Sequence, residues 1–576
     1  TFQMQGADLT WTGVTAFSAA KVYSTGGTLT LASGSSLSST GLIDLSNGST
    51  LVLNGAFGQS GGELTAADAT VETAGDFSKT GGTLTSNNAT FKLNGNVTAS
   101  SNTPLSFKAL TLNNNVLSFG VQTDNLTLTE ELTLNDPNGL IEQGSTALQL
   151  NGGVSIDSGG VLRLTDVLNT GSSKVKLNGG LLAIDKDTTL ASSILHLAAS
   201  TLEIAQTKTL TYEGSSIEIG ASALSINGGG TFTNTNPLEL DNAASQINLS
   251  GISANYIRTK SDSLGISVDN SSTVNEFLVG HVTPVSISPD QIFNGSFKIY
   301  QYSNLQLNNT GTLAANITIS GLGGTVEAQK SMSFSGSLQQ VDQHDGFELI
   351  IASGETMTYS GSEFGIGEHT FKLSGGGTLN NANNLILNDP ASLLAISDST
   401  KISHLLVSAS NTNGGLTISS SVSSSTGNLV ENLSLNDSFS VSSDSVWAVG
   451  NITADTGLTI SSDKDLNVGA LTMSGNADLS LGTDDITLSV TSPVTVGNTQ
   501  KLQNGGGSFN FLGGLSLEAG SELIGQGKQV SGNIVLNGGQ IATEQNTVLT
   551  DNLTQSADST LQIDTSKTLT YSGAVV

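Results

Sequence analysis

The side chains in this sequence that could do chemistry are few and scattered. The five histidines, His196, His281, His344, His369 and His404, do not share the spacing of metal ligands. The densest reactive cluster is Asp342-Gln343-His344-Asp345-Gly346, where two carboxylates flank an imidazole. Such a loop could hold a metal ion or exchange protons. A lone acidic loop reads first as a solvated turn, however, and so do Asp185-Lys186-Asp187, Asp463-Lys464-Asp465 and Asp484-Asp485. No EF-hand loop, P-loop or calcium-binding nonapeptide series occurs. Sugar cleavage needs two carboxylates at a fixed separation. No Asp-rich segment offers them, and the two arginines, Arg163 and Arg258, stand alone. The chain is read as non-enzymatic, with no catalytic residue, no metal ligand and no cofactor, and with its binding residues unassigned.

Three weaker patterns carry alternative readings. Thr28/Thr30, Thr83/Thr85 and Thr209/Thr211 suggest an ice-binding face, but the pairs do not recur in consecutive repeats. Sequons such as Asn96-Val97-Thr98 and Asn451-Ile452-Thr453 are what a chain rich in Asn, Ser and Thr produces by chance. Aromatics between Tyr256 and Tyr302, interspersed with Pro284 and Pro289, suggest a binding loop. Val285-Ser286-Ile287 and Phe293 nevertheless recur as Phe439-Ser440-Val441 and Trp447, which assigns most of these rings to a strand core.

The elements that must position these residues are short and extended. Thr28-Leu29-Thr30-Leu31, Thr50-Leu51-Val52-Leu53 and Thr90-Phe91-Lys92-Leu93 alternate apolar and polar side chains, the signature of half-buried strands. They end at Asn-Gly, Gly-Gly or Ser-Gly turn signals. The stretch from Gly81 to Gly95 repeats the one before it: Phe77 follows Phe57, Gly81-Gly82 follows Gly61-Gly62, Leu84 follows Leu64 and Phe91 follows Val71. A period of about twenty residues marks a solenoid rather than a set of hairpins. Residues 212–249 align without gaps to 359–396, and 179–214 to 538–573. The expectation is an all-β, right-handed parallel β-helix of about 21 residues per coil. It runs as one continuous β-solenoid over 1–576, a segment of a longer repetitive protein whose exposed end coils continue or stack head to tail. Leu84, Phe91 and Leu93 are expected core rungs, with Leu64 near Leu84 and Val71 near Phe91.

Composition narrows the partners. Charged residues make up 12% of the chain and the net charge is −29, which opposes nucleic acid and anionic membranes. With no cysteine, disulfides, thiol catalysis and thiolate metal centres are excluded. No apolar run approaches the length of a membrane span.

The Gly-Gly-x-Leu, Thr-Phe-x-Leu-Asn-Gly and Leu-x-Leu-Asn-Gly-Gly units resemble those of bacterial parallel β-helix surface proteins, the autotransporter passengers and filamentous-haemagglutinin-like adhesins. The resemblance covers nearly the whole chain. It implies an extracellular, cell-surface protein that forms a rod or filament. Its implied partners are a host or neighbouring cell surface, extracellular polysaccharide, or further copies of itself. A polysaccharide-binding or polysaccharide-degrading β-helix is the alternative.

Overall fold

The computed structural model describes the chain except residues 114, 120–124, 136–139, 143–146, 166–167, 301, 309–310, 321–322, 341–346, 410, 420–427, 456, 483–484 and 575–576. Every described secondary-structure element is a β-strand, and the strands pair in parallel with the strand one coil away. The chain forms two compact units, Thr1–Phe277 and Leu278–Val576. Each is a parallel β-solenoid.

The register follows the repeats read from the sequence. In the first unit Thr50, Thr70 and Thr90 pair in succession, as do Leu51, Val71 and Phe91. Coil length varies: Lys21 pairs with Leu42, while in the second unit Phe347 pairs with Phe371 and Ile402 with Val430. A full coil gives one strand to each of three sheets. In the first unit these are Leu140–Glu142, Ala147–Leu150 and Val154–Asp157. In the second they are Asp478–Leu481, Thr487–Val490 and Val494–Val496.

Alternation puts the apolar residue of each strand inside, where the parallel register stacks it on its counterpart. Leu162, Leu182 and Leu202 form one such column, and all three are fully buried. The rings do the same: Phe57 stacks on Phe77 at 6.0 Å, Phe91 on Phe107 at 4.7 Å, and Phe347 lies against Phe371 at 5.1 Å. Phe91 and Leu93 are core rungs as expected. Leu84 is not. It pairs with the buried Leu64 but stays half-exposed, because the following strand, Val97–Ser101, pairs only with Phe77, Ser78 and Lys79. The chain then turns at Asn102-Thr103-Pro104, and no strand of that coil pairs with Thr83–Thr85.

The internal copies share side-chain wiring as well as pattern. The hydroxyl of Tyr212 donates to Ser215 O and accepts from Ile194 N. Tyr359 donates to Ser362 O, and Tyr571 donates to Ala574 O and accepts from Leu553 N. The glycine two residues after each tyrosine is dictated by the ring: a Cβ on Gly214, Gly361 or Gly573 would lie within 2.7 Å of it. A second device recurs at Asn234 and Asn381, both buried. The Asn234 amide donates to Asn236 O and Tyr256 O and accepts from Asn255 N and Tyr256 N. The Asn381 amide does the same with Asn383 O, His404 O, Ser403 N and His404 N.

Candidate functional site

Most of the acidic turns have a structural task. Asp8, Asp76, Asp187 and Asp465 each accept a backbone N–H at or within one residue of the start of a strand in the next coil, from Thr28, Thr98, Thr209 and Thr487 respectively. Asn96 and Asn546 do the same for Val116 and Thr568. The carboxylates of Asp185-Lys186-Asp187 and Asp463-Lys464-Asp465 are thereby committed: Asp185 pairs with Arg163, and Asp463 accepts from Ser443 N. The cluster Asp342-Gln343-His344-Asp345-Gly346 lies outside the described residues, as does Asp484. Among the described residues no three His, Asp or Glu side chains converge as metal ligands.

The histidines are dispersed. His281 is exposed, His369 and His404 are half-buried, and His196 is buried in the core column that runs through Ile156 and Leu177. Nδ1 of His196 donates to Ile219 O at 2.8 Å, which leaves Nε2 unprotonated, buried and without a partner. Burial pushes its pKa down, against the pull of Ile219, Ala223 and the Asp241 charge. Lys79 is likewise an inward residue, only 3% exposed, above Gln59. Its ammonium donates to Thr103 Oγ1 at 2.7 Å, and burial lowers its pKa. Arg258 and Lys260 both pair with Glu239, which is buried. Burial alone would raise the Glu239 pKa, but hydrogen bonds and charge from Lys260 and Arg258 outweigh it and hold the carboxyl below its usual range. These are three polar insertions in the wall and core.

A serine pattern escaped the sequence reading. Gly58-Gln59-Ser60-Gly61-Gly62 has the G-x-S-x-G spacing of a nucleophile elbow. Ser60 lies inside the strand Phe57–Ala66, whereas that motif needs a strand-to-helix turn. The threonines, in contrast, are better ordered than the sequence suggested. Thr28, Thr50, Thr70 and Thr90 occupy one outward column over four successive coils. The parallel outward column reads Thr30, Val52, Glu72 and Lys92, with Lys92 bonded to Glu72 at 2.9 Å, so the threonine ladder is one residue wide. Of the aromatics between Tyr256 and Tyr302, Phe277, Phe293 and Phe297 are core, while Tyr300 and Tyr302 are exposed.

An open groove of about 850 Å³ lies in the second unit. It follows one corner of the solenoid, at the C-terminal ends of the strands Asp478–Leu481, Lys501–Gln503, Glu522–Gly525 and Gln540–Thr543. Gly482, Gly505, Gly506 and Gly527 line it without side chains. Stacking itself requires two of these glycines: a Cβ on Gly482 would lie 2.4 Å from Ser461 Oγ, and one on Gly505 1.9 Å from Leu481 O. Thr459 and Ser480 line it in the earlier coils, and Gln526, Glu544, Gln545 and Asn546 in the later ones. The Gln526 amide donates to Glu544 Oε2 at 2.8 Å. Lys567 donates to Gln545 Oε1 at 3.0 Å, and Thr568 N donates to Asn546 Oδ1 at 2.9 Å. Among the described residues the groove therefore presents hydroxyls, amides and one carboxylate, several held in place by neighbours, with no aromatic ring and no cation.

Fold and surface together define a parallel β-solenoid repeat protein, polar outside and built on apolar ladders. Comparison with protein-family models, with curated proteins and with solved structures finds no match to this chain.

Proposed function

We propose that this protein is a non-enzymatic, extracellular structural or adhesive element of a cell surface, as its resemblance to bacterial β-helix surface proteins implies. The observation that carries this reading is the construction of the wall. Coil after coil, in each unit, most inward residues are apolar and packed, and the outward columns include Thr, Ser and Asn that display hydrogen-bonding groups in register. Such a surface suits repeated weak contacts with a cell surface or an extracellular polysaccharide, which add through multivalency. Head-to-tail stacking of copies belongs to the same proposal. The acidity suits it too, since a net charge of −29 keeps a large polar surface soluble and repels nucleic acid.

The test is a binding assay with the immobilised chain and intact cells, together with electron microscopy of the purified protein. Saturable cell binding, with rods or fibres in the micrographs, is the expected outcome. Degradation of a polysaccharide by the purified chain, abolished by Glu544→Gln, would overturn the non-enzymatic reading.

A further inference from the structure

We infer that the corner groove of the second unit is a binding site for an uncharged polysaccharide chain lying along the solenoid axis. The inference rests on the adhesive reading above and names its ligand class. The groove crosses five successive coils, from Thr459 through Ser480, Gly505 and Gln526 to Glu544. At the ~4.8 Å spacing of paired strands, four such steps make roughly 19 Å of track, suited to an extended oligomer rather than a compact metabolite.

The lining selects the chemistry. Sugar hydroxyls both donate and accept, and the walls offer both roles. The Gln526, Gln545 and Asn546 amides and the Thr459 and Ser480 hydroxyls do either, and Glu544 accepts. Glu544, exposed and oriented by Gln526, is the strongest acceptor present. The glycine lining lets a ring approach the backbone of Gly505 and Gly506, where no side chain intervenes. Anionic glycans are disfavoured, because the described lining carries a carboxylate and no cation. Lys501, beside the corner, is already bonded to Glu522 at 3.1 Å. A peptide strand is disfavoured for a different reason. Strand addition needs an open edge, and the strands leading into this corner are paired to their neighbours on both sides.

With no aromatic platform, affinity comes from hydrogen bonds and is modest for each site. The test is direct binding of the purified chain to a panel of neutral and uronate-containing oligosaccharides, read by calorimetry or on an array. Neutral oligomers are expected to bind, and Gln526→Ala and Glu544→Ala each to weaken them at least about tenfold, as loss of a charge-assisted hydrogen bond does. Ser480→Arg, which puts a bulky side chain into the track two coils before Gln526, should abolish binding. Unchanged hydrogen exchange in Glu522–Gly525 and Gln540–Thr543 verifies that the variants keep the fold. The inference is overturned if no neutral oligomer binds, if uronates bind as tightly, or if binding survives all three substitutions. Cell adhesion by the Glu544→Ala protein separates the two claims. Adhesion that persists after glycan binding is lost keeps the groove as a glycan site and shows that cell adhesion uses another part of the wall. Glycan binding by a wild-type chain that adheres to no cell removes the surface role and leaves the groove.

Discussion

Tyr212 shows how a single side chain holds a coil corner. Its hydroxyl serves two backbone groups at once, Ile194 N at 3.0 Å and Ser215 O at 2.7 Å, inside the wall where water does not replace it. Burial accordingly pushes its pKa up. Tyr212→Phe leaves both groups unpaired and is expected to cost about 1–3 kcal/mol. The measurement is the shift in denaturant midpoint, with faster exchange at Ile194 as the local marker. His196 acts in the opposite direction. Its pKa is lowered in the folded chain, so over that interval the unfolded chain binds more protons than the folded one, and stability rises with pH. Its contribution is complete above the ordinary histidine value of about 6.5 and is lost as pH falls below it. Protonation would place a charge on a buried ring whose desolvation outweighs the pull of Ile219, Ala223 and Asp241. Urea midpoints at pH 7.5 and 5 should therefore differ, and His196→Gln should shrink that difference. Glutamine is the residue that the second copy places here, Gln555 lying over Leu536 as His196 lies over Leu177. Neither role was legible from a lone histidine or tyrosine, because both depend on which backbone groups the next coil brings alongside.

At the scale of the element, the sequence showed strands, turns and register, and missed corners. Alternation with a period of two and the Gly-Gly and Asn-Gly stops were enough to place Leu51, Val71 and Phe91 in one ladder. Leu84 went wrong because its burial depends on the coil above rather than on its own strand. That coil turns at Asn102-Thr103-Pro104, and nothing in 81–95 announces it. The threonine column was underestimated for a related reason: Thr50 and Thr70 lack a threonine partner two residues on, so a search for Thr-x-Thr pairs passed over a ladder that pairing makes contiguous. The groove was invisible for the same cause, since its walls come from residues about twenty positions apart. Corners are held instead by buried amides, and their duplication makes a test. Asn234 and Asn381 each make four backbone hydrogen bonds in matching geometry. Asn234→Leu and Asn381→Leu should each cost about 3 kcal/mol or more, since several buried backbone groups lose their partners together. The two losses should agree closely if the corner, rather than the wider context, sets the cost. Denaturation of the two variants side by side decides this.

For the whole molecule, the consequence of this construction is that stability is local. Backbone pairing joins each coil to the coils before and after it, so the free energy is close to a sum of coil terms and neighbour terms rather than one global core. The net charge of −29 opposes compaction, and with charged residues at only 12% little of it is offset by ion pairs. The apolar columns must supply the surplus in every coil. Leu182 tests this cleanly. It is fully buried between Leu162 and Leu202, and an aspartate there would be an unpaired buried charge, costing several kcal/mol. In a chain held by neighbour terms, Leu182→Asp should strip hydrogen-exchange protection from Val161–Leu164, Leu181–Ile184 and Ser200–Ile204. The strands Asp478–Leu481 and Leu515–Glu518 should keep theirs. Loss of protection in both sets together would mean a single cooperative fold and would refute the neighbour picture. Loss confined to the first set would show that each stretch of this wall stands on its adjacent coils, which is what a surface made to present many weak contacts along its length requires.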